Sequence, residues 1–201
     1  MRVVIKPAGL LILIVIIATL SSVAFFGMPR PRAAAVAKTA DKSDSAKSPT
    51  GLNFYGDRAW GLAAITPEAA ELQVSTGAVP GVGEPVKIYK VLVKKATENP
   101  WDVSLFLPTP ATLAKNEKLR LTFRARSDDA VPCIANFEQN SAPYPKSGEL
   151  KVATTRDWNQ YTLEFASRDN YAPDKSHTTF HLGTKKGMIE IADMRLERIA
   201  K

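Results

Sequence analysis

Arg124, Arg126, Asn136, Glu138 and His181 bring two guanidinium forks, an amide, a carboxylate and an imidazole into the C-terminal half of this chain. Arginine only donates, an ionised glutamate only accepts, and a neutral histidine does both, so the set can meet a ligand rich in hydroxyl groups. Gln139 and Tyr144 follow closely, and Phe106 adds a second aromatic ring. Hydrogen-bonding forks beside aromatic surface suit a sugar, whose hydroxyls need both roles and whose C–H face stacks on a ring. The same residues also fit a solvated face laced by Arg–Glu pairs. Glu138 and Asp102 could face one groove, as a glycosidase's carboxylates do at about 5 to 9.5 Å, but neither lies in a catalytic motif. No Gly-x-Ser-x-Gly elbow, His-Glu-x-x-His helix or phosphate loop is present.

These side chains need strands to aim them. Leu119, Leu121, Phe123 and Ala125 alternate with Arg120, Thr122, Arg124 and Arg126, the period-two pattern of a half-buried strand. Similar runs cover residues 71–76, 86–94, 101–107, 134–139, 150–154, 161–165, 178–182 and 188–198. The one helical turn expected is at residues 66–70, where Thr66 can cap and Pro67 suits the first position. About nine short strands with no long 3.6-period segment predict an all-β sandwich of two antiparallel sheets.

Successive side chains on a strand point to opposite faces, so each strand sorts its residues. Val103, Leu105 and Leu107 go to the core, which turns Asp102, Ser104 and Phe106 outward. Ala135 and Phe137 face in, exposing Asn136 and Glu138 with Gln139 at the strand's end; Thr179 and His181 point away from Phe180 and Leu182. If these strands share one sheet with residues 119–126, its outer face gathers Arg124, Arg126, Asn136, Glu138, His181 and Phe106. Trp158, Tyr161 and Phe165 are expected in the core, and Cys133 as a small buried filler; Trp101 follows a turn and is open to either core or platform, with the core favoured. Tyr144 and Tyr171 sit in Pro-containing loops, open to either ligand binding or loop anchoring.

Composition narrows the classes. One cysteine excludes an internal disulfide, and with two histidines no zinc-type Cys/His cluster can be assembled. The net charge of +7 is concentrated at the start: Arg2, Lys6, Arg30 and Arg32 all precede the first acidic residue, Asp41. Residues 33–201 carry 23 basic and 20 acidic side chains, which makes no basic stripe and argues against nucleic acid as a partner.

Residues 8–27 run twenty positions without a charge, close to the ~30 Å of a bilayer's hydrocarbon core at 1.5 Å per residue. They read as one N-terminal transmembrane helix acting as a signal anchor; Ser22-Val23-Ala24 leaves a cleaved signal peptide as the alternative. Residues 28–52, with no aromatic and only Val36 as a β-branched aliphatic, cannot bury enough surface to order themselves and read as a flexible linker. Residues 53–201 form the sandwich.

Several short runs carry a resemblance when taken in order. Asn99-Pro100-Trp101-Asp102-Val103 comes first, then Phe137-Glu138-Gln139 with Pro143-Tyr144 and Lys146-Ser147. Trp158 with Tyr161 and Phe165, Tyr171-Ala172-Pro173, Phe180-His181-Leu182-Gly183 and Ile189-Glu190-Ile191-Ala192-Asp193 follow. Over residues 84–199 the chain resembles jelly-roll carbohydrate-binding modules of families 4 and 9, galactose-binding-like domains found beside bacterial family 10 xylanases. The resemblance implies a β-jelly-roll that binds polysaccharide or another glycan and cleaves nothing itself; the polar face read from the strands would then bind it through Arg124, Arg126, Asn136, Glu138 and His181, with Gln139 and Tyr144 at the margin. Ser104 departs from the pattern, in which a longer glutamine is common. The resemblance implies no cofactor, although such modules often hold a structural calcium. Asp193 sits where they have an acidic ligand, and Asp57, Glu68 and Glu71 are the N-terminal candidates to join it. With the apolar segment, the expectation is a cell-envelope protein, anchored by a single membrane pass with its C-terminal domain exported, or else secreted. A protein-interaction module of the envelope and, further off, a glycoside hydrolase are the competing functions.

Overall fold

The computed structural model describes residues 52–199. The expected signal anchor and nearly all of the expected linker lie outside them. Among the described residues no helix is long and apolar enough to cross a membrane.

Alternation decides the elements. In β5 (Lys118–Ser127) Leu119, Leu121, Phe123 and Ala125 are fully buried, while Arg120, Thr122, Arg124 and Arg126 are only half-buried. The same logic builds β2 (Ala70–Gly77), β3 (Val86–Val93), β4 (Val103–Pro108), β6 (Pro132–Gln139) and β7 (Lys146–Ala153). It continues through β8 (Asn159–Ala166), β9 (Ser176–His181) and β10 (Gly187–Arg198). A tenth strand, β1 (Gly61–Ala64), was not expected: its four residues, GLAA, are too few to display a period.

All pairings are antiparallel, and they make two five-stranded sheets in the orders β1-β4-β9-β6-β7 and β2-β3-β10-β5-β8. We call these the first and second sheets. Their inner faces meet in one core. Leu105, Phe137 and Phe180 from the first sheet pack on Phe123, Ile189, Ile191 and Leu196 from the second. Phe123 meets Phe180 edge to face at 4.8 Å between ring centroids, an arrangement aromatic quadrupoles favour. Tyr55 and Trp60, ahead of β1, join the core; the Tyr55 hydroxyl is satisfied by Thr178 and Trp60 lies 5.3 Å from Phe180.

Three local expectations need correction. Residues 66–70 form a hydrogen-bonded turn, with Ala69 N donating to Thr66 O at 3.0 Å, and Ala70 already opens β2. Trp101 is not in the core. Pro100 starts a short 3-10 turn, Pro100–Asp102, whose N-cap Asn99 receives the Asp102 carboxylate on its own backbone N–H, so Trp101 precedes the strand and stands 59% exposed. Trp158 also precedes its strand; it is half-buried beneath the Arg126 guanidinium, 5.0 Å above the ring centroid. Tyr161 and Phe165 do pack on the core, as does Tyr171.

Candidate functional site

The outer face of the first sheet is where polar groups and aromatic rings converge. The register of the antiparallel ladders sets them in rows. One row runs Ala63, Ser104, His181, Ile134 and Lys151 across β1, β4, β9, β6 and β7. The next runs Gly61, Phe106, Thr179, Asn136 and Glu149. A third holds Pro108, His177, Glu138 and Lys146. Directly opposed residues on one face come within about 4.5 to 5.5 Å at Cβ, so each row is a line of contacts.

Glycine at position 61 matters to this face. A Cβ there would stand 3.1 Å from the Phe106 ring, so the missing side chain lets that ring lie over β1. Ser104 is buried and donates to the Trp101 carbonyl oxygen at 3.0 Å, so its short side chain steadies the turn that carries the tryptophan. At the opposite end of the strands the β6–β7 loop lifts Tyr144, 52% exposed, beside the face.

Between these two rings lies a cavity of about 580 Å³. Trp101 and Tyr144 bound it, with Phe106, Glu138, Thr179 and the two histidines among its lining. Its floor is polar and buried. Glu138, only 5% exposed, accepts from His177 Nε2 and Thr179 Oγ1 at 3.1 Å each, and His181 Nε2 lies 3.9 Å away. Asn136 is buried beneath and meets His181 Nδ1 at 3.1 Å. Burial lowers the His181 pKa from its ordinary value, outweighing the nearby Glu138 carboxylate. At the rim Lys146 is held by Glu149, whose carboxyl this hydrogen bond keeps below the usual range.

The residues expected in one groove divide between the two sheets. Asn136, Glu138 and His181 come together on the first sheet, and Tyr144 stands beside them. Gln139 ends β6 and turns aside to donate to Ser141 Oγ at 2.9 Å, steadying the loop that carries Tyr144. Arg124 and Arg126 do not join them: β5 pairs with β10 and β8, so both arginines lie on the outer face of the second sheet. There Arg126 pairs with the buried Glu190, which Lys90 also reaches at 3.0 Å. Arg124 donates to Gln160 at 2.9 Å, with Asp193 at 3.8 Å, and Arg120 bridges to Glu164 at 2.7 Å. This face is the one laced by ion pairs.

Sequence reasoning left out Trp101, His177, Thr179, Asn140 and Lys146. His177 had a signal: it continues the alternation of Thr179 and His181, but the expected strand begins at 178 and the observed one two residues earlier, at Ser176. Asn140 gave none, for it enters through the loop beyond β6; Lys146 stood only in the run that carries the resemblance, and the register of β7 brings it to the cavity.

Of the residues named for calcium, Asp57 lines a pocket together with Asp193, while Asp193 and Glu71 are met by cationic side chains. Asp193 lies at a bulge in β10 with φ of +49°, and its carboxylate accepts from Arg195 Nε at 2.8 Å while facing Arg124. Glu71 is engaged by Lys94 and Gln73. Calcium needs six to eight oxygens, and at Asp193 the carboxylate is shared with the guanidinium groups of Arg124 and Arg195. Among the described residues no three His, Cys, Asp or Glu side chains stand close enough to share a metal.

The architecture is a β-sandwich of two five-stranded antiparallel sheets, with an aromatic-flanked cleft on the outer face of one. No family model matches the chain, and no curated protein matches it. Among solved structures it is similar to a family 4 carbohydrate-binding module, CBM4, at 16% identity and a TM-score of 0.55, over 76% of this chain and 96% of that one. It is also similar to the CBM22-1 and GH10 modules of endo-1,4-β-D-xylanase 10B from Clostridium thermocellum, complexed with xylohexaose. That match is at 8% identity and a TM-score of 0.50, over 76% of this chain. A third is the enzymatically active domain of tailspike protein 4 of bacteriophage CBA120, at 13% identity and a TM-score of 0.50, over 70% of this chain. The chain spans 28% of the xylanase structure and 19% of the tailspike structure. At such identities the likeness is one of fold, and function must be argued from the site.

Proposed function

We propose that the chain is a non-catalytic glycan-binding module and that its ligand lies in the cleft of the first sheet. The observation that carries this reading is the pairing of two exposed rings, Trp101 and Tyr144, with a floor of buried hydrogen-bonding groups in one 580 Å³ cavity. Exposed tryptophan and tyrosine facing a void offer flat apolar surface to a sugar's C–H face, and Glu138, Thr179 and His181 meet its hydroxyls. The volume, within the range of small-molecule sites, suits a short run of sugar units. Glycoside hydrolysis usually needs two carboxylates flanking the bond, and Glu138 is the one carboxylate lining this cavity among the described residues. Asp102, the second candidate, caps its own turn. Binding without cleavage is the chemistry this lining favours.

The apolar run at residues 8–27 supports attachment to a membrane, with the sandwich exported beyond a flexible spacer, so that the module would hold polysaccharide at the cell envelope. A glycan array and an insoluble-polysaccharide pull-down with the purified chain test the reading. Retention on at least one polysaccharide, lost in Trp101→Ala, is expected. Failure on every glycan together with specific capture of one protein through the same face would turn the reading toward an envelope protein-interaction module.

A further inference from the structure

Asn136 meets His181 at Nδ1, the ring nitrogen turned away from Glu138. Its amide nitrogen stands 3.4 Å from the Ile134 carbonyl oxygen and 3.1 Å from His181 Nδ1. A carbonyl oxygen only accepts, so the amide edge turned toward Ile134 must be the NH2 group. That NH2 then also donates to His181 Nδ1, which leaves the ring hydrogen on Nε2. The arrangement keeps Asn136 Oδ1 buried without a partner, and the flipped amide would instead set Oδ1 against the Ile134 oxygen.

Nε2 faces Glu138 across 3.9 Å on the cavity floor. Glu138 Oε1 is already taken by His177 and Thr179, so among the described residues Oε2 is its acceptor without a protein partner. We propose that His181 Nε2–H and the Glu138 carboxylate form a preset donor–acceptor pair, held in that polarity by Asn136, which selects neutral glycans presenting two adjacent hydroxyls over acidic ones. The proposal rests on the glycan-binding reading and names its ligand class. One hydroxyl oxygen accepts from Nε2–H and its neighbour donates to the carboxylate. A uronate or sulfate in the same place has no hydrogen to donate and brings a second anion against a buried one.

The groups that face His181 agree with a neutral ring. Glu138 on β6 and His177 on its own strand form the floor, while Lys146 and Glu149 on β7 pair with each other. Protonating His181 would set Nδ1–H against the Asn136 NH2, and burial already disfavours the imidazolium. Asn136 is thus a positioning residue, acting on the ligand through the imidazole.

The test uses the full chain in detergent micelles, labelled with 15N-histidine. Its two histidines give two ring signatures, assigned with His177→Gln. At neutral pH the His181 ring is expected as the Nε2–H tautomer, and an Nδ1–H tautomer would overturn the proposal without needing a ligand. Asn136→Asp, whose carboxylate can accept from Nδ1–H, should move the ring toward that tautomer in any folded sample; an unmoved spectrum counts against the proposal. Xylohexaose or cellohexaose should bind at least tenfold more tightly than an oligogalacturonate of equal length. Acidic binding that is equal or tighter, and lost in Trp101→Ala, would overturn the selectivity while leaving a glycan site in place. No binding of any of these oligosaccharides would overturn the selectivity, and the glycan reading would then stand or fall on the array.

Discussion

Replacing Trp101 by alanine separates binding from folding more cleanly than any other change in the cleft. The side chain is 59% exposed, and a tryptophan can bury up to about 250 Å², so roughly 150 Å² of it meets solvent in the free protein. A sugar ring stacked on one face covers about half of that, and ~75 Å² of apolar surface removed from water contributes about 2 kcal/mol at ~25 cal/mol per Å². The expected loss is roughly 30-fold in Kd. Stability should change by less than about 0.5 kcal/mol, because the substituted side chain lies on the surface and the contact that steadies the turn, Ser104 Oγ to the Trp101 carbonyl oxygen, uses backbone. Isothermal titration with the tightest-binding oligosaccharide of an array, alongside a thermal melt, reads both quantities. A Kd within twofold of the parent at unchanged Tm would refute the stacking argument. A large drop in Tm would refute the claim that this tryptophan lies outside the core.

Phe123→Ala is the opposite case: the ring is fully buried between Phe180 and Tyr161, so unfolding free energy should fall by about 3 to 5 kcal/mol in a urea titration. Glu138→Ala leaves His177 and Thr179 without their acceptor and should weaken glycan binding by about 1 to 3 kcal/mol, whereas Arg124→Ala, on the other sheet, should leave the titration unaltered. Because burial lowers the His181 pKa, the unfolded chain binds the extra proton first; the contribution to stability is complete above about pH 6.5 and is lost as pH falls through the folded value. Urea melts at pH 7.5 and 5.5 should show that loss, and His181→Gln should abolish it. Deleting residues 1–32 should give a soluble protein while the full chain partitions with membranes, and a mature N-terminus at Phe25 in the native host would show a cleaved signal instead.

The period-two pattern made the faces legible but not the partners. Arg124 and Arg126 alternate with Phe123 and Ala125 just as Glu138 alternates with Phe137, and nothing local distinguishes an arginine above one sheet from a glutamate above the other. What separates them is pairing at long range: β4 lies against β9 and β5 against β10, each some seventy residues away along the chain. Loop closure across such distances is governed by the whole core, so single-strand patterns carry little of it. Trp101 was unreadable for a different reason. Its neighbours Val103 and Leu105 continue an apolar alternation into which a tryptophan fits, and only Asn99-Pro100 with Asp102 at the third position marks the turn that ejects it.

That ejection also accounts for how one scaffold gives its two outer faces different work. On the second sheet most of the arginine and glutamate charges pair across neighbouring strands: Arg126 and Lys90 on Glu190, Arg120 on Glu164, Arg124 beside Asp193. A face whose donors and acceptors are satisfied by one another has little left to offer a ligand, and such exposed pairs contribute modestly to stability. On the first sheet Glu138, His177 and His181 are buried at the centre of the face, and the small residues Gly61, Ala63 and Ser104 lower one side of it so that rings from a turn and a loop can stand above it. The hydrogen-bonding capacity left over there, on Glu138 and His181, is confined between Trp101 and Tyr144, where water must be displaced to use it. Unspent polar valence next to exposed aromatic surface is what favours this face for the proposed ligand, and it arises from which strands were made neighbours.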